Sequence, residues 1–226
     1  MSNSLLGYIF SGNVQMVLLL VLSRAFVVFV CMPVHELAHG WAAYKLGDNT
    51  AKSQGRLTFN PFAHLNPIGT IMIFLFGIGY AEPVPINPLN FKDYRRGVAL
   101  TAAAGPISNL IMGFASALFY ALFYMVYGKT GSVALMFISL LFFYSAQVNV
   151  SLAVFNLIPI PPLDGSRILA MVLPDKAYEK YFRYERIIMI VLIVLLFTGI
   201  LNAPISFLVN FFMKVVLFIP KLIFGI

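Results

Sequence analysis

The chain has 226 residues, of which 61% are hydrophobic and 10% charged, against roughly 25% charged in soluble domains. That balance excludes an ordinary soluble globular domain. The formal net charge is +7, but the basic residues sit in loops between apolar runs, which speaks for membrane orientation and anionic headgroups rather than nucleic acid. Cys31 is the only cysteine, so no intramolecular disulfide can form, and it reads as a small buried apolar residue.

Residues 1–13 carry no positive side chain, and no small-residue cleavage site follows the first apolar run, so no cleavable signal peptide is expected. That first run, about Val14 to Tyr44, exceeds the roughly 20 residues needed to cross hydrocarbon. Arg24 is its one basic residue and is expected to snorkel, to pair with lipid phosphate or to mark a shallower helix start. Pro33 predicts a kink, and Gly47-Asp48-Asn49 ends the helix. Residues 52–67 change character: Gly55 to Asn60 alternates polar with apolar before Pro61, Asn66 and Pro67, which predicts a short strand or hairpin. Ile68 to Ala81 is apolar but only fourteen residues long, too short to span and better read as re-entrant or interfacial. Glu82 to Asn90, with three prolines, is expected to be extended loop or edge strand.

Three further apolar runs follow, Val98 to Tyr127, Val133 to Leu163 and Ile187 to Met213. The last contains Asn202 and Pro204 and reads either as one kinked helix or as a helix followed by a separate C-terminal segment. There is no internal repeat. The expected architecture is an all-α polytopic membrane protein, a single integral-membrane domain over residues 1–226. It would be a helix bundle of four to six membrane segments with a small β-hairpin or re-entrant element.

Eleven of the fifteen basic residues fall in two regions: Lys45, Lys52, Arg56, Lys92, Arg95 and Arg96, then Arg167, Lys176, Lys180, Arg183 and Arg186. The excess of positive charge on cytoplasmic loops places both regions inside and the N-terminus outside. Residues 68–81 must then enter and leave on the same side.

The first run ends in His35-Glu36-Leu37-Ala38-His39, an H-E-x-x-H pattern. Two histidines four apart share a helix face and can reach one metal ion, with Glu36 beside them to take a proton from an attacking water. Ionisable groups inside a membrane helix are costly and read as functional by default. Catalytic zinc takes three protein ligands and leaves one position open. Of the eight acidic residues, Asp164 is the candidate third ligand, because it closes an apolar, proline-broken run while the others lie in charged loops. His39 lies about 9 Å along the helix from Lys45, at about 1.5 Å per residue, and Asp164 stands three residues before Arg167, so both approach one face from similar depth. A divalent cation would keep Asp164 deprotonated and both histidines neutral. Asn156 is a candidate donor to a developing oxyanion, or else a partner for loosened backbone. His64, the third histidine, is structural or interfacial, with a regulatory or transition-state contact as the alternative.

These pieces together resemble the site-2 protease family of intramembrane zinc metalloproteases, in a compact form without PDZ or CBS domains. The resemblance rests on His35 to His39, Gly55 to Thr70, Ala104-Gly105-Pro106-Ile107-Ser108-Asn109, and Asn156 to Gly165. It implies one zinc ion per chain on His35, His39 and Asp164, with Glu36 as catalytic base. It further implies a multi-pass protein whose site lies within the membrane near the cytoplasmic side. The substrate would be a transmembrane segment that unwinds into a strand, for which Gly55–Asn60 and Glu82–Asn90 offer an edge. Gly105 and Asn109 then become candidates for the substrate or oxyanion environment, or for helix packing alone. The alternatives are a catalytically silent membrane metal-binding adaptor or chaperone, which would not need Glu36, and an ion transporter, which would be expected to show two sets of broken helices.

Overall fold

The computed structural model describes residues 5–76 and 81–226, and every regular element among them is helical. In order these are α1 (Leu5–Phe10), α2 (Val14–Phe26), a π-helical turn (Val27–Cys31), α3 (Met32–Lys45), α4 (Thr50–Ser53), a 3-10 turn (Pro61–Ala63), α5 (Pro67–Phe76), a second 3-10 turn (Pro88–Asn90), α6 (Tyr94–Thr130), α7 (Val133–Asn156), α8 (Asp164–Ala170), α9 (Asp175–Arg183), α10 (Glu185–Thr198) and α11 (Asn202–Phe224). Four helical stretches are long and apolar enough to cross a membrane: Val14–Lys45, Tyr94–Thr130, Val133–Asn156 and Asn202–Phe224. The chain is an all-α membrane protein.

The first stretch runs unbroken through α2, the π turn and α3. Proline lacks an N–H and its ring crowds the carbonyl four residues back. The disturbance expected at Pro33 is taken up by the wider turn just before it, where the Met32 N–H reaches the Val27 carbonyl. Arg24 does not snorkel. It is buried, and its guanidinium donates to the Phe74 carbonyl, in the last turn of α5, where helix carbonyls lack intrahelical partners. The charge therefore pins a short helix. At ten residues α5 covers about 15 Å and cannot span. The remainder of the segment expected to be re-entrant, residues 77–80, lies outside the described residues.

The β-hairpin expectation needs correction. No strand is present among the described residues, so the hairpin over residues 55–60 is not formed. Prolines at 61, 83, 85 and 88 withhold the N–H groups a ladder needs. The segments are joined at points instead: Arg56 Nη2 donates to the Glu82 and Pro83 carbonyls at 2.9 and 3.3 Å, and the Glu82 N–H donates to the His64 carbonyl at 2.8 Å. The Ile187–Met213 run follows the second of its two readings, a helix and then a separate C-terminal segment, and the fourth spanning helix is that segment. Gly199, at φ +75°, ends α10, and Pro204 falls in the first turn of α11, where a missing N–H costs nothing. The fourteen residues of α10 cover about 21 Å, less than the roughly 30 Å of a bilayer core.

The bundle centres on α6, which packs along α7 and across α3 and receives α8 and α11. Small residues make this possible. A Cβ on Gly113 would stand 3.2 Å from Val150, and Ala117, Ala146, Val150, Val209 and Met213 fill the seam among α6, α7 and α11. A second cluster of Val27, Val28, Cys31, Ile73 and Leu152 seats the π turn against α5 and α7. Together they hold the face of α3 that carries the histidines against the middle of α6.

Candidate metal centre

On α3, one helical turn separates His35 from His39, and their rings stand edge to face with centroids 4.6 Å apart. The two Nε2 atoms are 3.1 Å apart. Asp164, the first residue of α8, brings Oδ2 to 3.6 Å from His35 Nε2 and 3.4 Å from His39 Nε2. Zinc bonds of about 2.0–2.1 Å arranged tetrahedrally separate neighbouring ligand atoms by about 3.4 Å, and all three edges lie close to that figure. Asp164 Oδ2 is buried with no hydrogen-bond partner among the described residues, as an oxygen kept for a cation would be. His39 Nδ1 donates to the Thr101 carbonyl at 2.7 Å, which fixes the tautomer that leaves Nε2 a lone pair for a metal.

Local sequence explains each placement. The imidazoles can lie against α6 because residue 105 is glycine: a Cβ there would overlap His39 and stand 2.6 Å from His35 Cε1. α7 ends at Asn156, and the chain leaves helical geometry through residues 157–163, with a cis bond between Pro161 and Pro162. α8 then starts hard against that segment, since a Cβ on Gly165 would come within 2.5 Å of the Ile158 carbonyl. Tyr181 of α9 ties the same segment from outside, its hydroxyl donating to the Pro159 carbonyl at 2.7 Å.

Glu36 is buried beside the histidines. Its Oε2 accepts the Val84 N–H at 3.1 Å, so the extended strap of residues 81–87 crosses directly over it. The strap is held on both sides of that contact. Arg56 and His64 fasten its start as described, and Asp48 fastens its end. Asp48 accepts from the Asn87 N–H and Asn90 Nδ2, each at 2.7 Å, and from the Thr50 N–H and hydroxyl at 3.0 and 2.5 Å. Burial alone would raise the Asp48 carboxyl. The donors of Thr50, Asn90 and Asn87 outweigh it and hold the group below its usual range.

A cavity of about 920 Å³ opens over these groups. His35, Glu36, His39 and Asp164 line it, with Asn109 and Asn156 nearby, and the Met189, Leu192, Ile193 and Leu196 side of α10 forms its apolar wall. Every candidate residue is thus brought to one place except His64. That histidine is buried elsewhere, with Nε2 on the Thr58 carbonyl at 2.8 Å, which matches the structural reading. Thr101, Val84 and Asp48 were not singled out. The first two act through backbone atoms, which leave no signature in residue type, and Asp48 reads in sequence only as the end of a helix.

A model of Peptidase family M50 matches residues 122–199, a stretch that contains Asp164 but not the paired histidines. The "Putative zinc metalloprotease YwhC" of Bacillus subtilis (strain 168) is 44% identical over 171 residues, covering 75% of this chain and 77% of its own. The "Putative zinc metalloprotease MJ0611" of Methanocaldococcus jannaschii is 33% identical over 60% of this chain and 62% of its own. The "Putative zinc metalloprotease Rip2" of Mycolicibacterium smegmatis is 27% identical over 75% of this chain and 64% of its own. The chain spans less than two thirds of the last two. No solved structure matches it. Identity of 44% sustained over three quarters of both chains marks common descent, and the chain belongs to peptidase family M50, the site-2 protease family of membrane zinc metalloproteases.

Proposed function

We propose that this single membrane domain is an intramembrane endopeptidase that cuts transmembrane segments of other membrane proteins near the cytoplasmic face, as in regulated intramembrane proteolysis. The observation that carries the reading is the set of His35, His39 and Asp164, whose ligand atoms lie within 4.8 Å of one another, beside Glu36 in the cavity. In this reading His35, His39 and Asp164 hold the zinc. Bound there, zinc would polarise the scissile carbonyl and make an attacking water acidic near neutral pH. Glu36 takes the proton of that water and passes it to the departing amide nitrogen. The Val84 N–H keeps Glu36 Oε2 in one orientation, leaving Oε1 for the proton. Asn156, at the cavity wall, is the candidate second donor to the oxyanion.

Sidedness follows from charge. Lys45 lies over the Trp41 ring and Lys52 over the Tyr44 ring, the aromatic-and-basic pairing of a membrane interface, at the end of α3 nearer His39. The loops at that end carry the basic excess, which supports a cytoplasmic position. The cavity's apolar wall suits a substrate arriving from lipid.

The test is cleavage of a model single-span protein in proteoliposomes. Wild type is expected to cut it, a chelator to stop it, and Glu36→Gln to bind zinc but not cut. Undiminished cleavage by Glu36→Gln would remove the assigned base.

A further inference from the structure

We propose that Asn109 is a positioning residue of the metal centre: its side-chain oxygen accepts the Nδ1–H of His35 and so holds that imidazole with Nε2 turned to the metal. The proposal rests on the reading of His35, His39 and Asp164 as ligands.

An imidazole that gives one nitrogen's lone pair to a metal carries its proton on the other, and a buried N–H requires an acceptor. For His39 the acceptor is the Thr101 carbonyl. For His35, Nε2 is the nitrogen facing His39 and Asp164, so Nδ1 is the one protonated. His35 Nδ1 is buried with no hydrogen-bond partner among the described residues, and so is Asn109 Oδ1. The hydrogen-bonding groups of α6 that adjoin His35 are the Asn109 side chain and the Gly105 carbonyl. The Gly105 carbonyl already takes the Ser108 hydroxyl at 2.7 Å as well as its place in the helix ladder, which uses both its lone pairs. Asn109 is 2% exposed and its amide oxygen is the free acceptor, so a rotation of the side chain would join an orphaned donor to an orphaned acceptor.

Residues 101, 105 and 109 are spaced i, i+4 and i+8, so they share one face of α6. That face presents an acceptor for His39, a gap without a Cβ where both rings lie, and an acceptor for His35. One helix would then orient both imidazoles of its neighbour.

Zinc affinity of the full-length protein in detergent, measured by chelator competition, tests this. Asn109→Leu is expected to weaken zinc binding by about 10- to 100-fold, the usual cost of removing the partner of a metal-bound histidine. Asn109→Asp, which keeps an acceptor, is expected to return the affinity close to wild type. His39→Ala and Asp164→Ala are measured alongside. If they lose zinc while Asn109→Leu binds as wild type does, or if Asn109→Asp falls as far as Asn109→Leu, the positioning role is overturned and the ligand assignment stands. If Asn109→Leu lowers the cleavage rate at unchanged zinc affinity, Asn109 serves substrate instead, and the role is again overturned. If His39→Ala and Asp164→Ala retain zinc, the ligand reading itself has failed. Should Asn109→Leu not give one monodisperse species, Asn109→Ala, which removes the acceptor without added bulk, is read in the same way.

Discussion

The Val84 N–H and Glu36 Oε2 meet at 3.1 Å across 48 positions of the chain. One belongs to a proline-rich strap with no regular structure, the other to the helix of the H-E-x-x-H pattern. The contact makes the strap part of the site's construction, since whatever moves residues 81–87 also moves the carboxylate beside the histidines.

Glu36→Gln is therefore expected to separate binding from chemistry. The amide keeps an oxygen for the Val84 N–H but cannot take a proton. Peptide cleavage should fall by at least about 10²- to 10⁴-fold, the range for loss of a general base, with zinc content unchanged by elemental analysis.

Arg56→Leu tests the strap from a distance. Among the described residues the guanidinium hydrogen-bonds the Glu82 and Pro83 carbonyls and none of the zinc ligands. Releasing it should lower kcat by up to about 10²-fold, as expected for misplacement by about 1 Å, while zinc affinity stays at the wild-type value. Steady-state kinetics on a model substrate with parallel metal titration reads both.

Gly105→Ala should behave differently. The added methyl collides with both imidazoles, so metal affinity and cleavage are expected to fall together, cleavage by about 10²-fold or more. Substitution at Gly113, where a Cβ would meet Val150 at 3.2 Å, Asn149 at 3.5 Å and the Ala146 carbonyl at 3.6 Å, should leave zinc binding intact and serves as the control for a methyl on α6.

Asp48 predicts a pH dependence. Its carboxyl sits below the ordinary value of 3.8 in the folded protein. Its contribution to stability is therefore fully present above about that pH and is lost as the pH falls through the folded value. Asp48→Asn is expected to lower stability at neutral pH by about 1–3 kcal/mol. The difference from wild type should narrow below about pH 4, as followed by thermal unfolding in detergent micelles.

Much of this was legible in the chain because the chemistry is carried by rare residues. With three histidines and eight acidic groups in 226 residues, the ligand candidates could be weighed one by one, and His35, His39 and Asp164 do converge. Helix content was legible from long apolar runs. Register along those runs was less so: Asn202 and Pro204 left Ile187–Met213 open between one kinked helix and two segments, and hydropathy does not show that the break falls at Gly199, with the spanning helix beginning at Asn202. The alternation at Gly55–Asn60 resembled a strand because period-two patterning reports exposure on two sides, not the presence of a pairing partner. Arg24 was misread for a related reason, as the carbonyl it serves belongs to a helix 50 positions away.

The most direct test of the central claim is zinc stoichiometry with X-ray absorption at the zinc edge on purified protein. One zinc per chain is expected, with two imidazole nitrogens and carboxylate oxygen at about 2.0–2.2 Å; one imidazole should be lost from the spectrum of His35→Ala, and the carboxylate, with most of the affinity, from Asp164→Ala. A zinc ion whose coordination and affinity are the same in Asp164→Ala as in wild type would contradict the account.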